Sequence, residues 1–248
     1  MDSQNYLKYT LTLKEIISYF LIFEFVAFTF SFFFYHSYIP VIVFQVLLYK
    51  YFVEVKNYLS KKRRKRILTE FSDFIVAISA SLYTGYSLEN AIIEAKTTIK
   101  NMYGSNSIMY TEILFMERKL SINSPVENLF LDLAERTGIE DIQNFCVILN
   151  IAKKTGGDLI SIIKSTSQTI KQKSDLICQI DTAVSGKRFE QYIMLGMPFF
   201  IFIYVGITQP GFFTPLYNNL LGIIVSTTCL IIYCCSFILS RKILRIEV

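Results

Sequence analysis

Apolar positions along residues 142–163, IQNFCVILNIAKKTGGDLISII, recur at helical spacing, stop, and start again. Ile142, Phe145, Cys146, Leu149 and Ala152 share one stripe while Gln143, Asn144, Asn150 and Lys153 face elsewhere, the pattern of a packing helix. Lys153 and Lys154 occupy its last turn, where cations complement the negative helix end, and Gly156 and Gly157 supply the positive φ angles that stop it. Asp158 caps the next helix, whose stripe is Leu159, Ile162, Ile163, Thr166 and Ile170.

The same device occurs 71 residues earlier: Phe71, Phe74, Ile75, Ile78 and Leu82 form a stripe, Gly85 ends it and Ser87 caps the helix that begins Leu88, Ala91, Ile92, Ala95. Gly85 answers to Gly156, Ser87 to Asp158 and Leu88 to Leu159. This is the signature of a helix–turn–helix unit used twice, although any two helical hairpins share caps and stripes.

Two further patterns and the continuation of the last helix complete the middle of the chain. Met109, Ile113, Met116 and Leu120 form a stripe that breaks at residues 121–124. Ser124, Pro125, Val126 and Glu127 read as a capping box with proline at the first helical position, followed by Val126, Leu129, Phe130, Leu133 and Ala134 and a stop at Thr137-Gly138. The helix from Leu159 continues past Asp181 and through Gly186, Lys187 and Arg188 into an apolar stretch, where Gly186 permits a bend or a close helix contact.

The longest apolar runs are residues 16–34, 41–53, 192–208 and 220–239. The second is short, and Tyr38, Ile39 and a snorkelling Lys50 extend it; Pro198 kinks the third. No small-residue cleavage site follows the first run, so an uncleaved anchor is expected. Composition agrees: 52% hydrophobic residues is too many for an ordinary soluble domain, and 18% charge is too much for a chain lying wholly in lipid.

Charge then orients the chain. Residues 61–66 read Lys61, Lys62, Arg63, Arg64, Lys65, Arg66, and the tail carries Arg241, Lys242 and Arg245, whereas residues 35–39 and 209–217 contain no Lys or Arg. The positive-inside rule places both termini and the middle domain in the cytoplasm, with the basic run as an anchor on anionic lipid and not a nucleic-acid patch. The expected architecture is all-α: a cytoplasmic segment 1–15, a transmembrane hairpin 16–53, a six-helix cytoplasmic bundle 54–191, two further transmembrane helices 192–239 and a cytoplasmic tail 240–248.

Candidate chemistry is sparse. Cys146, Cys178, Cys229, Cys234 and Cys235 lack metal-site spacing and read as small hydrophobes. His36, the only histidine, falls in an outer turn. The Gly186-Lys187 pair is not a phosphate loop, because that motif needs glycine at Asp181 and Ser or Thr at Arg188. No catalytic, metal or cofactor site is therefore expected. Glu24, inside the first span, leaves one alternative, a small transporter or channel.

In this order the segments FSDFIVAISASLYTGYSLENAI, SPVENLFLDLAERTG, NFCVILNIAKKTGGDLISIIKSTSQTI and DTAVSGKRFEQYIMLGMP resemble the type II secretion system F-domain family. Within it the chain is similar to the TadB/TadC-like platform proteins of Tad (Flp) pilus assembly, and its early short spans and RIEV ending favour the TadB-like branch. Gly85, Ser87, Leu88 and Ala91 match the first family turn, Gly156, Gly157, Asp158 and Leu159 the second, and Ala183, Gly186 and Lys187 the segment before the third span. Ile162 replaces the small residue that matches Ala91.

The resemblance implies a non-enzymatic inner-membrane platform that couples a cytoplasmic secretion ATPase to pilin subunits. It further implies a paralogous F-domain partner and a homo- or hetero-oligomer, with no nucleic acid. Exposed charges on helix faces are the expected ATPase contacts, among Glu112, Glu117, Arg118, Lys119, Lys164, Lys171 and Lys173.

Overall fold

The computed structural model of the chain describes residues 6, 10–35, 39–155, 159–209, 211–213 and 219–243. Among these residues all regular structure is helical, in eight helices: α1 (Leu13–Tyr35), α2 (Ile39–Tyr83), α3 (Leu88–Tyr103), α4 (Ile108–Leu120), α5 (Val126–Thr137), α6 (Glu140–Thr155), α7 (Leu159–Thr208) and α8 (Leu220–Ile243). His36, Gly156, Gly157, Asp158 and Arg245 lie outside the described residues.

Two compact units result, one of Met1–Thr10 with Lys56–Cys178 and one of Leu11–Val55 with Gln179–Val248. Helices α2 and α7 each contribute to both. The sequence pattern divides α2 into a span and a domain helix, but its backbone does not break there, whereas α7 runs from the domain into the apolar stretch as its pattern implies. In α2 the reason is local: Pro40 sits in the first turn, where its missing N–H costs nothing, and the basic run that follows is rich in good helix formers. Helix α7 likewise continues through Gly186 and past Pro198. Among the described residues, a Cβ built on Gly186 would meet nothing within 4 Å.

The first unit contains six helical segments, from α2 to the first part of α7. Its centre is a cluster of four phenylalanine rings from three helices: Phe71 and Phe74 of α2, Phe130 of α5 and Phe145 of α6, each no more than 2% exposed. Their centroids lie 5.2 Å apart for Phe130–Phe145, 5.6 Å for Phe71–Phe145 and 6.2 Å for Phe74–Phe130, within the range of favourable tilted and edge contacts. The predicted stripes of α2, α5 and α6 are buried around them, and α3 and α4 add Ala91, Ile92, Ala95, Ile99, Met109, Ile113 and Met116.

Helix α7 presents a different face from the one expected. Ile163, Ser167, Ile170 and Ser174 are buried, whereas Ile162 and Thr166 are only partly so. Serines there let the helix approach closely without leaving a bare hydroxyl: Ser167 donates to the Lys164 carbonyl at 2.8 Å and Ser174 to Thr69 Oγ1 of α2 at 3.3 Å.

The second unit holds α1, the start of α2, the end of α7 and α8. Helix α1 lies beside α8, and among the described side chains of these two helices the buried ones are small: Ala27 and Ser31 on one, Ser226 on the other. Small side chains let apolar helices pack backbone to backbone. Tyr233 of α8 donates to the Leu195 carbonyl of α7 at 2.8 Å. Among the described residues two helices, α7 and α8, are long and apolar enough to cross a membrane. Their apolar windows are almost wholly uncovered by protein, 0% and 6% buried, unlike the core helix of a soluble domain. Their length and composition are compatible with transmembrane helices.

Candidate functional site

The family-like turn between α2 and α3 has the predicted construction. Gly85 has φ +90°, its N–H donates to the Leu82 carbonyl at 3.1 Å, and the Tyr86 N–H donates back to Ser81 at 3.2 Å. These bonds make a Schellman stop with glycine in the one position that needs a left-handed backbone. Ser87 then accepts from the Asn90 N–H at 3.3 Å and starts α3 at Leu88. Ala91 is fully buried.

Of the matching turn, only Leu159 lies within the described backbone. It is the first residue of α7, so α3 and α7 begin 71 residues apart, as the repeat requires. The Lys164 ammonium lies 4.7 Å over the Tyr83 ring, which brings the start of α7 beside the end of α2.

Two other helix ends differ from expectation in detail. Residues 121–124 close α4 with the same pair of bonds, Asn123 N–H to Leu120 and Ser124 N–H to Lys119, and Asn123 at φ +58° takes the place of glycine. At α5 the cap residue is Pro125, with extended ψ 136° and no side-chain cap bond. Ser124 and Glu127 therefore do not form the expected capping box. Glu127 instead reaches Lys153 of α6 at 2.5 Å.

What sequence reasoning missed is a set of buried carboxylates that link these helices. Glu70 of α2, with its side chain 1% exposed, accepts from Arg66 Nε at 2.7 Å, Ser107 Oγ at 2.9 Å and the Met109 N–H at 2.9 Å. Ser107 is itself the cap of α4, accepting from the Tyr110 N–H at 3.1 Å. A carboxylate on one helix thus completes the positive N-terminus of another.

Asp73, one turn along α2, accepts a hydrogen bond from the Tyr103 hydroxyl at the end of α3 and an ion pair from Lys171 of α7 at 2.8 Å. Burial, with the carboxylate beside it, raises the Tyr103 phenol well above its ordinary range and keeps it a donor. Glu112 of α4 makes a two-pronged pair with Arg136 of α5, at 2.8 and 2.5 Å, and accepts from the Tyr6 hydroxyl at 2.7 Å.

These contacts revise the expected partner surface. Glu112 is 4% exposed and belongs to the interior, because its ion pair with Arg136 is closed over by the helices that carry it. Glu117 pairs with Lys96, Lys119 with Asp132, Lys171 with Asp73 and Asp175, and Lys173 with Asp141. Arg118 and Lys164 are exposed.

The basic run is likewise partly turned inward. Arg63 lies over the Tyr6 ring at 4.7 Å, Arg64 donates to the Gly138 carbonyl at 3.4 Å and Arg66 holds Glu70. Lys61 and Lys62 are exposed and Lys65 is half-buried.

Each buried carboxylate faces donors on other helices, an arrangement suited to fixing helix positions. Burial pushes the Cys146 thiol up to about 12, which makes it an inert hydrophobe. Among the described residues no three His, Cys, Asp or Glu side chains gather as metal ligands would. Comparison with protein-family models, curated proteins and solved structures gives no match.

The Glu70 cap has a measurable worth. Glu70→Ala leaves Ser107, the Met109 N–H and Arg66 facing an empty acceptor position, and should cost about 3 kcal/mol. Arg66→Ala, at a side chain 56% exposed, should cost under about 1 kcal/mol. Denaturant unfolding of the detergent-solubilised protein, followed by circular dichroism, compares the two; equal losses would mean that the cap is not what Glu70 supplies.

Glu127 generates a pH prediction. Burial raises its carboxyl, but the Lys153 ammonium and a backbone N–H outweigh that and hold it below the ordinary 4.5. The unfolded chain therefore takes up the proton first, so this stabilisation is present above about pH 4.5 and is lost as pH falls through the lower folded value. Thermal melting of Lys153→Met should show a weaker decline over that window than the parent protein.

Proposed function

We propose that this chain is a non-enzymatic platform protein of the inner membrane, in a Tad or type IV-like pilus or type II secretion-like machine, coupling a cytoplasmic ATPase to pilin assembly. The observation that carries the reading is α7, one helix from Leu159 to Thr208 that begins in the Phe-centred helical unit and ends in a stretch apolar enough to cross a membrane. A continuous helix carries a tilt or rotation along its length, the mechanical role a platform needs.

Helix α1 supports the remaining topology. Its 23 residues span about 35 Å, sufficient for a bilayer core, and the start of α2 supplies the return. With four crossings and the positive-inside rule, both termini and the helical unit are cytoplasmic, and the exposed lysines of the basic run meet anionic lipid. The order of family-like segments and the 71-residue spacing of α3 and α7 support membership of the F-domain family, on the TadB-like side. The ATPase, a paralogous platform subunit and pilins are the partners this reading requires, with Arg118 and Lys164 on the exposed faces available to them.

Transport through Glu24 is the second reading, favoured by the hydrogen bond that Gln45 of α2 donates to that carboxyl. A neutral amide on a carboxyl is equally a device for pairing two helices in lipid, so the platform reading needs nothing further from Glu24.

The test is a flexible glycine-rich insertion after Ile180, within α7. Fibre assembly in the native host should be lost while the protein remains inserted and its helical unit folded. Fibres at the parental level would reject coupling through α7.

A further inference from the structure

The last charged side chains of α7 are Lys187, Arg188 and Glu190, and the helix runs on from them to Thr208 without another. From Arg188 to Thr208 it rises about 30 Å, the thickness of a bilayer core. Among the described residues that stretch is bare. Phe200, Tyr204 and Ile207 are exposed, and none of its apolar window is covered by protein.

At the far end the backbone turns back. The Gln209 N–H still donates to the Val205 carbonyl at 2.9 Å, but the Phe212 N–H donates to the Gln209 carbonyl at 3.1 Å, and Gly211 has φ +100°, an angle that glycine accepts without strain. Two ring contacts follow. Phe213 stacks on Phe202 of α7, with centroids 4.6 Å apart and planes 16° from parallel, and Phe212 meets Phe213 edge-on at 5.3 Å and 88°. Phe202 lies about 9 Å back from the helix end, so the two rings are folded beside the final turns of α7 and do not extend past them.

Phe213 is half-buried by this stack, whereas Phe212 remains 61% exposed. One ring is a brace and the other is presented. Its surroundings select what it meets. Residues 209–217 contain no Lys, Arg, Asp or Glu to orient a protein partner, and the ring lies at the level of the bare Tyr204 and Ile207. An aromatic ring at the edge of the hydrocarbon is how a span is anchored at its interface.

Resting on the reading of α7 as a membrane span with Arg188 at its inner end, we infer that Phe212, braced by Phe213 on Phe202, is seated in the outer edge of the lipid hydrocarbon as an anchor. Its partner is the acyl chain just beneath the headgroups.

The chain contains no tryptophan, so Phe212→Trp and Phe200→Trp each place a single indole in the full-length protein. Each variant is reconstituted into phosphatidylcholine vesicles whose lipid is brominated either near the headgroup end or near the methyl end of its chains. Phe212→Trp should be quenched about twofold more by the shallow bromines than by the deep ones, and Phe200→Trp, about 12 Å back from the helix end, should show the reverse order. Adding Phe213→Ala to Phe212→Trp removes the brace and should raise quenching by aqueous acrylamide about twofold. Deep quenching at Phe200→Trp with ready acrylamide quenching at Phe212→Trp would overturn the anchor and leave the span standing. Quenching of Phe212→Trp by neither lipid nor acrylamide would assign the ring to contact with a second copy of the chain, and would also overturn the anchor. Absence of lipid quenching at Phe200→Trp would reject the span itself. An unchanged response to Phe213→Ala would overturn the brace.

Discussion

A carboxylate taken out of water has to be met by donors in fixed positions, and that requirement organises the helical unit. Glu70, Asp73 and Glu112 are each nearly or fully buried. Glu70 ties α2 to the start of α4, Asp73 ties α2 to the end of α3 and to α7, and Glu112 ties α4 to α5 and to Tyr6. The phenylalanine cluster supplies the apolar burial, but rings tolerate sliding. Charged hydrogen bonds at 2.5 to 2.9 Å do not, so the acids specify which helix turn meets which.

Much of this unit is written plainly in the sequence. The stripes of α2, α5 and α6, the Gly85 stop, the Ser87 cap and the Gly138 stop follow from periodicity and from the few residues that accept special backbone angles. The acids were harder to read because a charged residue normally marks a solvated face. Their signal was positional: Glu70 precedes Phe71, Asp73 precedes Phe74 and Glu112 precedes Ile113, each next to a core position on its own helix. Only tertiary contact shows which donors meet them. Tyr6 gave no signal, since a tyrosine in a polar segment has no periodicity to place it.

The continuity of α2 is masked for another reason. Hydropathy changes sharply along it, so its span and its domain helix read as separate elements, whereas α7 reads as one helix running on into its span. Backbone propensity recognises no such boundary, and neither helix contains a residue sequence able to stop it there. Small polar residues completed the departures: Ser167 and Ser174 face inward on α7 because they satisfy their hydroxyls locally or on Thr69.

The proposed platform role would draw on the cross-linked helical unit and on the two helices that run on into apolar stretches. The platform reading needs a force-generating partner, and capture of that partner tests it most directly. The tagged full-length protein, crosslinked and extracted in mild detergent from its native host, should retain a secretion-type ATPase and a second F-domain protein, identified by mass spectrometry. Recovery of neither, with the protein folded and inserted, would contradict the account.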